Sequence, residues 1–188
     1  MLVGLWKCPV KDFVPRSSLQ GYNWPMKMTT VQLASDIGSI LKNQGASVTC
    51  AESCTGGGVA QALTEVAGSS AWFGFGFVTY ANRAKMDLLG VSEQTLDDWG
   101  AVSSQVVEQM AAGARRVSGA EYAIATSGIA GPDGGSEDKP VGTVWIAVAG
   151  PDSLESCCYH YPGNRSAVRS QAVEQSLQML WQLLQAAS

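Results

Sequence analysis

The stretch Ser47-Val48-Thr49-Cys50-Ala51-Glu52-Ser53-Cys54-Thr55-Gly56-Gly57-Gly58 decides the fold. Its first six residues suit a short buried strand, and the three glycines then break it. Val59, Ala60, Leu63 and Val66 follow at helical spacing, so the segment reads strand, glycine turn, helix. Upstream, Leu33, Ala34, Ile37, Ile40 and Leu41 form one apolar helical stripe. Thr29 with Gln32 fits a capping box before it, and Gly45 fits a stop after it. Downstream, residues 72–80 (WFGFGFVTY) alternate. Phe73, Phe75, Phe77 and Thr79 are expected on one face, and Trp72, Gly74, Gly76, Val78 and Tyr80 on the other.

Asn82 is expected to cap a short helix through Leu89. Another helix follows Ser103, with Val106, Val107, Met110, Ala114 and Val117 on its buried side. Residues 122–126, 141–149 and 154–161 read as strands, and a last helix starts near Arg165. Strands and helices interleave, and several strands are continuously apolar. That pattern predicts a three-layer α/β/α sandwich with a mixed, mainly parallel sheet, because two successive strands fall near the end.

Composition bounds the function. The chain has 188 residues, 12 Lys+Arg and 16 Asp+Glu, hence a net charge of −4. A mildly acidic chain without a basic cluster argues against a nucleic-acid partner. The single histidine, His160, excludes a His-rich zinc site and reads as structural on its strand. Five cysteines without a C-x-x-C pair read as reduced thiols in a cytoplasmic protein. No apolar run reaches the roughly 20 residues of a membrane span, so no membrane partner is expected. Residues 1–28 hold Pro9, Pro15 and Pro25 and no sustained period. They read as a loosely ordered extension before one domain at 29–188, with Met26 and Met28 as candidate starts.

Three places suit chemistry. At the turn Ser53-Cys54-Thr55-Gly56-Gly57, backbone N–H groups stand ready to hold a phosphate or an oxyanion, with Ser53 placed as a nucleophile. Local pattern supports equally a second reading, in which Ser53 merely caps the helix. The turn is neither G-x-S-x-G nor a P-loop. Cys54 reads as a small buried thiol. Lys85, one turn after Tyr80, is the second candidate. A lysine near a helix N-terminus and partly buried has a lowered pKa and can serve as a base. For an arbitrary lysine a surface position is the commoner outcome. The third is the glycine-rich run Thr126-Ser127-Gly128-Ile129-Ala130-Gly131, which suits phosphate or ribose. Asp133, Glu137 and Asp138 beyond it read as a solvated lid. Arg165 or Arg169 at the last helix offers an anion site, although spacing alone favours solvated charge.

The combination resembles the C-terminal domain of the CinA family. It comprises Ala51-Glu52-Ser53-Cys54-Thr55-Gly56-Gly57, Val78-Thr79-Tyr80-Ala81-Asn82 with Lys85, Thr126-Ser127-Gly128-Ile129-Ala130-Gly131-Pro132, and Lys139-Pro140-Val141-Gly142-Thr143-Val144, over about residues 30–186. The resemblance implies hydrolysis of nicotinamide mononucleotide to nicotinate mononucleotide and ammonia, without metal or organic cofactor, by a homodimer or higher homo-oligomer. It implies Ser53 as nucleophile, Lys85 as its base, and Tyr80 as a group that positions or relays the proton. Cys54, Thr55, Gly56, Gly57, Thr126, Ser127, Gly128 and Gly131 would line the substrate, with Arg165 or Arg169 on its phosphate. The metal-dependent pyrophosphatase domain of longer members is not expected in 188 residues. The competing reading is an inactive nucleotide-binding module. It keeps the glycine loops without the Ser-Lys chemistry, yet all three catalytic residue types are present.

Overall fold

Thr29 opens the first helix by a reciprocal pair of hydrogen bonds. The Gln32 N–H donates to its hydroxyl at 3.2 Å, and its own N–H donates to Gln32 Oε1 at 2.8 Å. This helix, α1 (Thr30–Gln44), ends where Gly45 adopts φ +63°, as the sequence predicts. A computed structural model describes residues 11–12 and 28–187 of the chain.

The remaining elements are β1 (Lys11–Asp12), β2 (Val48–Glu52), α2 (Gly58–Thr64), β3 (Phe73–Val78), α3 (Asn82–Leu89), α4 (Glu93–Trp99), α5 (Ser104–Ser118), β4 (Tyr122–Gly128), β5 (Thr143–Ala149), β6 (Leu154–His160) and α6 (Arg165–Ala186). The strands form one sheet in the order β1-β6-β5-β4-β2-β3. Every pairing is parallel except those of β5, so β5 alone opposes the common direction.

Two apolar layers cover the sheet. Leu33, Ile37 and Leu41 of α1, Leu63 of α2 and Leu177 and Leu180 of α6 pack on one face. Leu89 of α3, Leu96 of α4 and Val106, Val107 and Met110 of α5 pack on the other. Burying each such side chain contributes about 1.5–3 kcal/mol. β2 serves both layers by its period of two: Val48 and Cys50 join the first, Ala51 the second. The expected α/β/α sandwich with a mixed, mainly parallel sheet is the observed architecture.

Several local expectations change. The register between β2 and β3 shifts between Val48 and Cys50, whose partners are Phe73 and Gly76. The extra residue on β3 breaks the alternation, so Phe73 packs with the α1 layer and Phe77 with the α5 layer. Gly76 is closely packed: a Cβ there would lie 3.3 Å from both Ala60 Cβ and Cys50 Sγ. Ala81, not Asn82, is the N-cap of α3, and no side chain bonds its free N–H groups. Val117 of α5 is exposed, not buried. α4 carries no long apolar stripe to announce it. The Ser92 hydroxyl caps it by accepting from the Thr95 N–H at 3.1 Å. Of the proposed extension, Lys11 and Asp12 pair with Tyr159 and His160 of β6. The rest of residues 1–27 lies outside the described residues.

Candidate active site

β2 lies between β3 and β4, the neighbours reached by crossovers on opposite faces of the sheet. The crevice beyond the carboxyl end of such a strand is where open α/β sheets bind ligands. Glu52 and Ser53 stand at that end, and the strand period sends them to opposite faces.

On the α2 face, the Glu52 carboxylate is fully buried. Its Oε2 accepts the N–H groups of Gly57 at 3.0 Å and Val59 at 3.1 Å, and its Oε1 accepts that of Ala60 at 2.9 Å. These are the open donors of the first turn of α2, whose N-cap Gly57 has no side chain to satisfy them. The helix cap is therefore Glu52, five residues upstream, and not Ser53. Gly56 at φ +58° and Gly57 at φ +95° turn the chain back so that the carboxylate reaches these groups. The α2 N-terminus, read from sequence as a phosphate cradle, is filled by the protein's own anion.

On the opposite face, Lys85 Nζ lies 3.2 Å from Ser53 Oγ. The same nitrogen donates to the carbonyls of Thr79 at 2.9 Å and Tyr80 at 3.1 Å. Lys85 belongs to the first turns of α3, and its side chain is only 1% exposed. Burial pushes its pKa down from the ordinary lysine value, with Cys54 acting weakly in the other direction. Among the described residues, no carboxylate pairs with this nitrogen. A neutral amine has two N–H donors and one lone pair. A charged amine would give its three donors to Ser53 and the two carbonyls; once neutral, with two donors on the carbonyls, its lone pair would face the Ser53 hydroxyl.

The other site candidates fall into two groups. Cys54 is buried beside Ser53, and burial pushes its thiol up to about 12, which keeps it protonated. The Thr55 and Thr126 hydroxyls bond each other at 2.7 Å, both fully buried. The Ser127 hydroxyl donates to the Ala101 carbonyl at 2.6 Å. A Cβ at Gly128 would lie 2.6 Å from the Thr143 carbonyl oxygen. Thr55, Thr126 and Ser127 tie the turn and β4 to each other and to the loop after α4, with their hydroxyls turned inward.

Tyr80, Gly56 and Arg165 are exposed, Arg169 is half-buried and Gly131 is buried. Tyr80 is 60% exposed, and its phenol oxygen accepts from Arg165 Nη2 at 3.1 Å. Its contact with Lys85 is made by its main-chain carbonyl and not by the phenol. Arg165 Nη1 also donates to the Gly131 carbonyl at 2.9 Å. Arg169 Nη2 donates to the Thr55 carbonyl at 2.7 Å, and its buried Nε has no hydrogen-bond partner. A Cβ on exposed Gly56 would stand 3.2 Å from that guanidinium. The Cys54 and Thr55 N–H groups donate to no oxygen among the described residues. Among the described residues, no three His, Cys, Asp or Glu side chains gather to hold a metal ion. No described helix is long and apolar enough to cross a membrane.

A three-layer α/β/α domain with a serine and a buried lysine paired at the end of a central parallel strand defines a class. It is an α/β protein that sets a lysine nitrogen against a serine hydroxyl at a strand end. Residues 30–184 match the CinA C-terminal domain, and the chain belongs to that family. It is 57% identical over 148 residues to the nicotinamide-nucleotide amidohydrolase PncC of Enterobacter agglomerans, covering 78% of this chain and 90% of that one. To the protein of the same name from Escherichia coli K12 it is 56% identical over 155 residues, covering 81% and 93%. The competence/damage inducible protein CihA of Agrobacterium tumefaciens has a solved structure that superposes with a TM-score of 0.79. It is 44% identical, with 84% of this chain and 97% of that one covered.

Proposed function

We propose that the chain hydrolyses the carboxamide of nicotinamide mononucleotide to nicotinate mononucleotide and ammonia. The observation that carries this reading is the buried Lys85 nitrogen, held by two carbonyls and set against Ser53 Oγ. The relatives named as nicotinamide-nucleotide amidohydrolases supply the substrate.

Lys85 takes the Ser53 proton as Oγ bonds to the carboxamide carbon. The carbonyl oxygen becomes an oxyanion, which the main-chain N–H groups of the Ser53–Gly57 turn would receive. Collapse breaks the C–N bond, and the lysine proton leaves with the nitrogen as ammonia. Water then attacks the resulting ester as Lys85 takes its proton, and Lys85 returns that proton to Ser53 Oγ as the C–O bond breaks and the acid product leaves. Tyr80 holds the lysine through its carbonyl and Arg165 through its phenol. Arg165, exposed at the mouth, takes the phosphate, because the α2 terminus is already filled by Glu52. The exposed Phe75 and Val78 on the unpaired edge of β3 support assembly as a homo-oligomer.

Ammonia release from nicotinamide mononucleotide, followed for the native chain and for Ser53→Ala, tests this reading. The native chain releases ammonia and the variant, folded alike, does not. Binding of the nucleotide without ammonia release by the native chain would instead identify an inactive nucleotide-binding module.

A further inference from the structure

Resting on the Ser53–Lys85 reading above, we propose that Glu52 is a positioning residue for the nucleophile. Its buried carboxylate fixes the turn bearing Ser53 at the separation from Lys85 that proton transfer needs. One residue holds both sides of that separation. Through its side chain, Glu52 binds Gly57, Val59 and Ala60, which anchors the far end of the turn that starts at Ser53. Through its main chain, its carbonyl accepts the Thr79 N–H at 2.8 Å. Thr79 in turn presents its own carbonyl to Lys85 Nζ at 2.9 Å. The serine and the lysine are thus tied to the same residue from opposite directions.

The surroundings suit an anion held in one geometry. Glu52 is fully buried at the end of β2, flanked by the Thr126 and Val78 backbones. Besides the three amides, the Cys50 thiol donates to Oε1 at 3.6 Å. That thiol stays protonated, because burial and the adjacent Glu52 both push its pKa up. A carboxylate with two oxygens is needed here: one oxygen serves Gly57 and Val59 while the other serves Ala60 and Cys50. An amide presents one acceptor and one donor group, so it turns an NH₂ against N–H donors on one side. Two turn glycines at positive φ give the segment little stiffness of its own. Misplacing a reacting atom by about 1 Å costs on the order of 100-fold in rate.

Glu52→Gln keeps the size and loses one acceptor oxygen, whereas Glu52→Asp keeps the charge and loses reach. Both are measured as full-length chains for folding by circular dichroism and for kcat and KM on nicotinamide mononucleotide. The rate at which a fluorophosphonate labels Ser53 is followed by peptide mass. In a folded variant kcat falls about 10–100-fold, KM stays within about threefold, and Ser53 labelling slows in step. Unchanged kcat and labelling, a loss lying wholly in KM, or failure of both variants to fold each overturns the assignment. A native chain that is labelled at Ser53 yet releases no ammonia removes the substrate reading alone. The labelling rates then still decide the role of Glu52.

Discussion

Arg165 bridges the mouth of the site from α6: its Nη2 donates to the Tyr80 phenol at 3.1 Å and its Nη1 to the Gly131 carbonyl at 2.9 Å. An exposed guanidinium already preset by two neutral acceptors exchanges readily to a dianionic phosphate, a stronger bidentate partner. Arg169 is differently engaged, with Nη2 on the Thr55 carbonyl beside the nucleophile turn.

The two arginines therefore separate in kinetics. Arg165→Ala is expected to raise KM for nicotinamide mononucleotide about 10–100-fold, the worth of one charge-assisted pair, with kcat nearly kept. The dephosphorylated riboside is expected to notice Arg165→Ala little. Arg169→Ala is expected to lower the melting temperature and kcat, because it releases the Thr55 carbonyl. Equal KM effects of Arg165→Ala on the nucleotide and the riboside would remove the phosphate role.

Tyr80 contributes two groups with separate partners, its carbonyl to Lys85 and its phenol to Arg165. Tyr80→Phe removes only the second. The expected result is a KM increase of a few fold, about 1 kcal/mol for one hydrogen bond, with kcat close to native. A kcat loss of about 100-fold at unchanged KM would assign the phenol to proton relay instead.

How far these contacts were legible in the sequence follows from what each depends on. The strand–turn–helix at Val48–Glu52 and the positions of Ser53 and Lys85 come from period and motif, which local sequence carries. Glu52 escaped notice because nothing local says which face the last strand residue takes, nor that Gly57 leaves α2 without a cap of its own. A glycine at the N-cap after a strand-end acid is the one signal that pointed to it. The resemblance implies Thr55, Thr126 and Ser127 as substrate-facing. Their hydroxyls turn inward because β4 is central and both of its faces are covered. The phase slip between Phe73 and Phe77 depends on pairing with β2, which the alternating pattern of β3 alone cannot reveal.

Lys85→Arg separates a base from a ligand for charge. Lys85 is buried, and a guanidinium stays protonated at any working pH. Turnover is expected to fall about 100–10,000-fold, the usual worth of a general base, and nearly as far as in Lys85→Ala. Retention of more than about a tenth of native kcat would make Lys85 an electrostatic contact.

The lowered lysine pKa also ties activity and stability to pH with a fixed sign. Burial favours neutral Lys85 in the folded chain, whereas the unfolded chain binds that proton up to its ordinary value of about 10.4. Between the folded and unfolded pKa values the unfolded state therefore holds more protons, and the native state gains stability as pH rises. The gain approaches at most about 1.36 kcal/mol per pH unit and ends above the unfolded pKa. Lys85→Met lacks this group but fills the same space. Melting curves of both proteins taken between pH 7 and 10 are expected to show the native chain improving relative to Lys85→Met once the pH exceeds the depressed folded pKa. Each kcal/mol is worth about 2–4 °C in a chain of this size. Over the same range kcat/KM of the native chain is expected to rise and level off as the lysine proton is lost, and to fall when pH drops through the depressed pKa. A difference in melting temperature that stays flat from pH 7 to 10 would mean that Lys85 keeps its proton on folding. The neutral-amine mechanism would then fall with it.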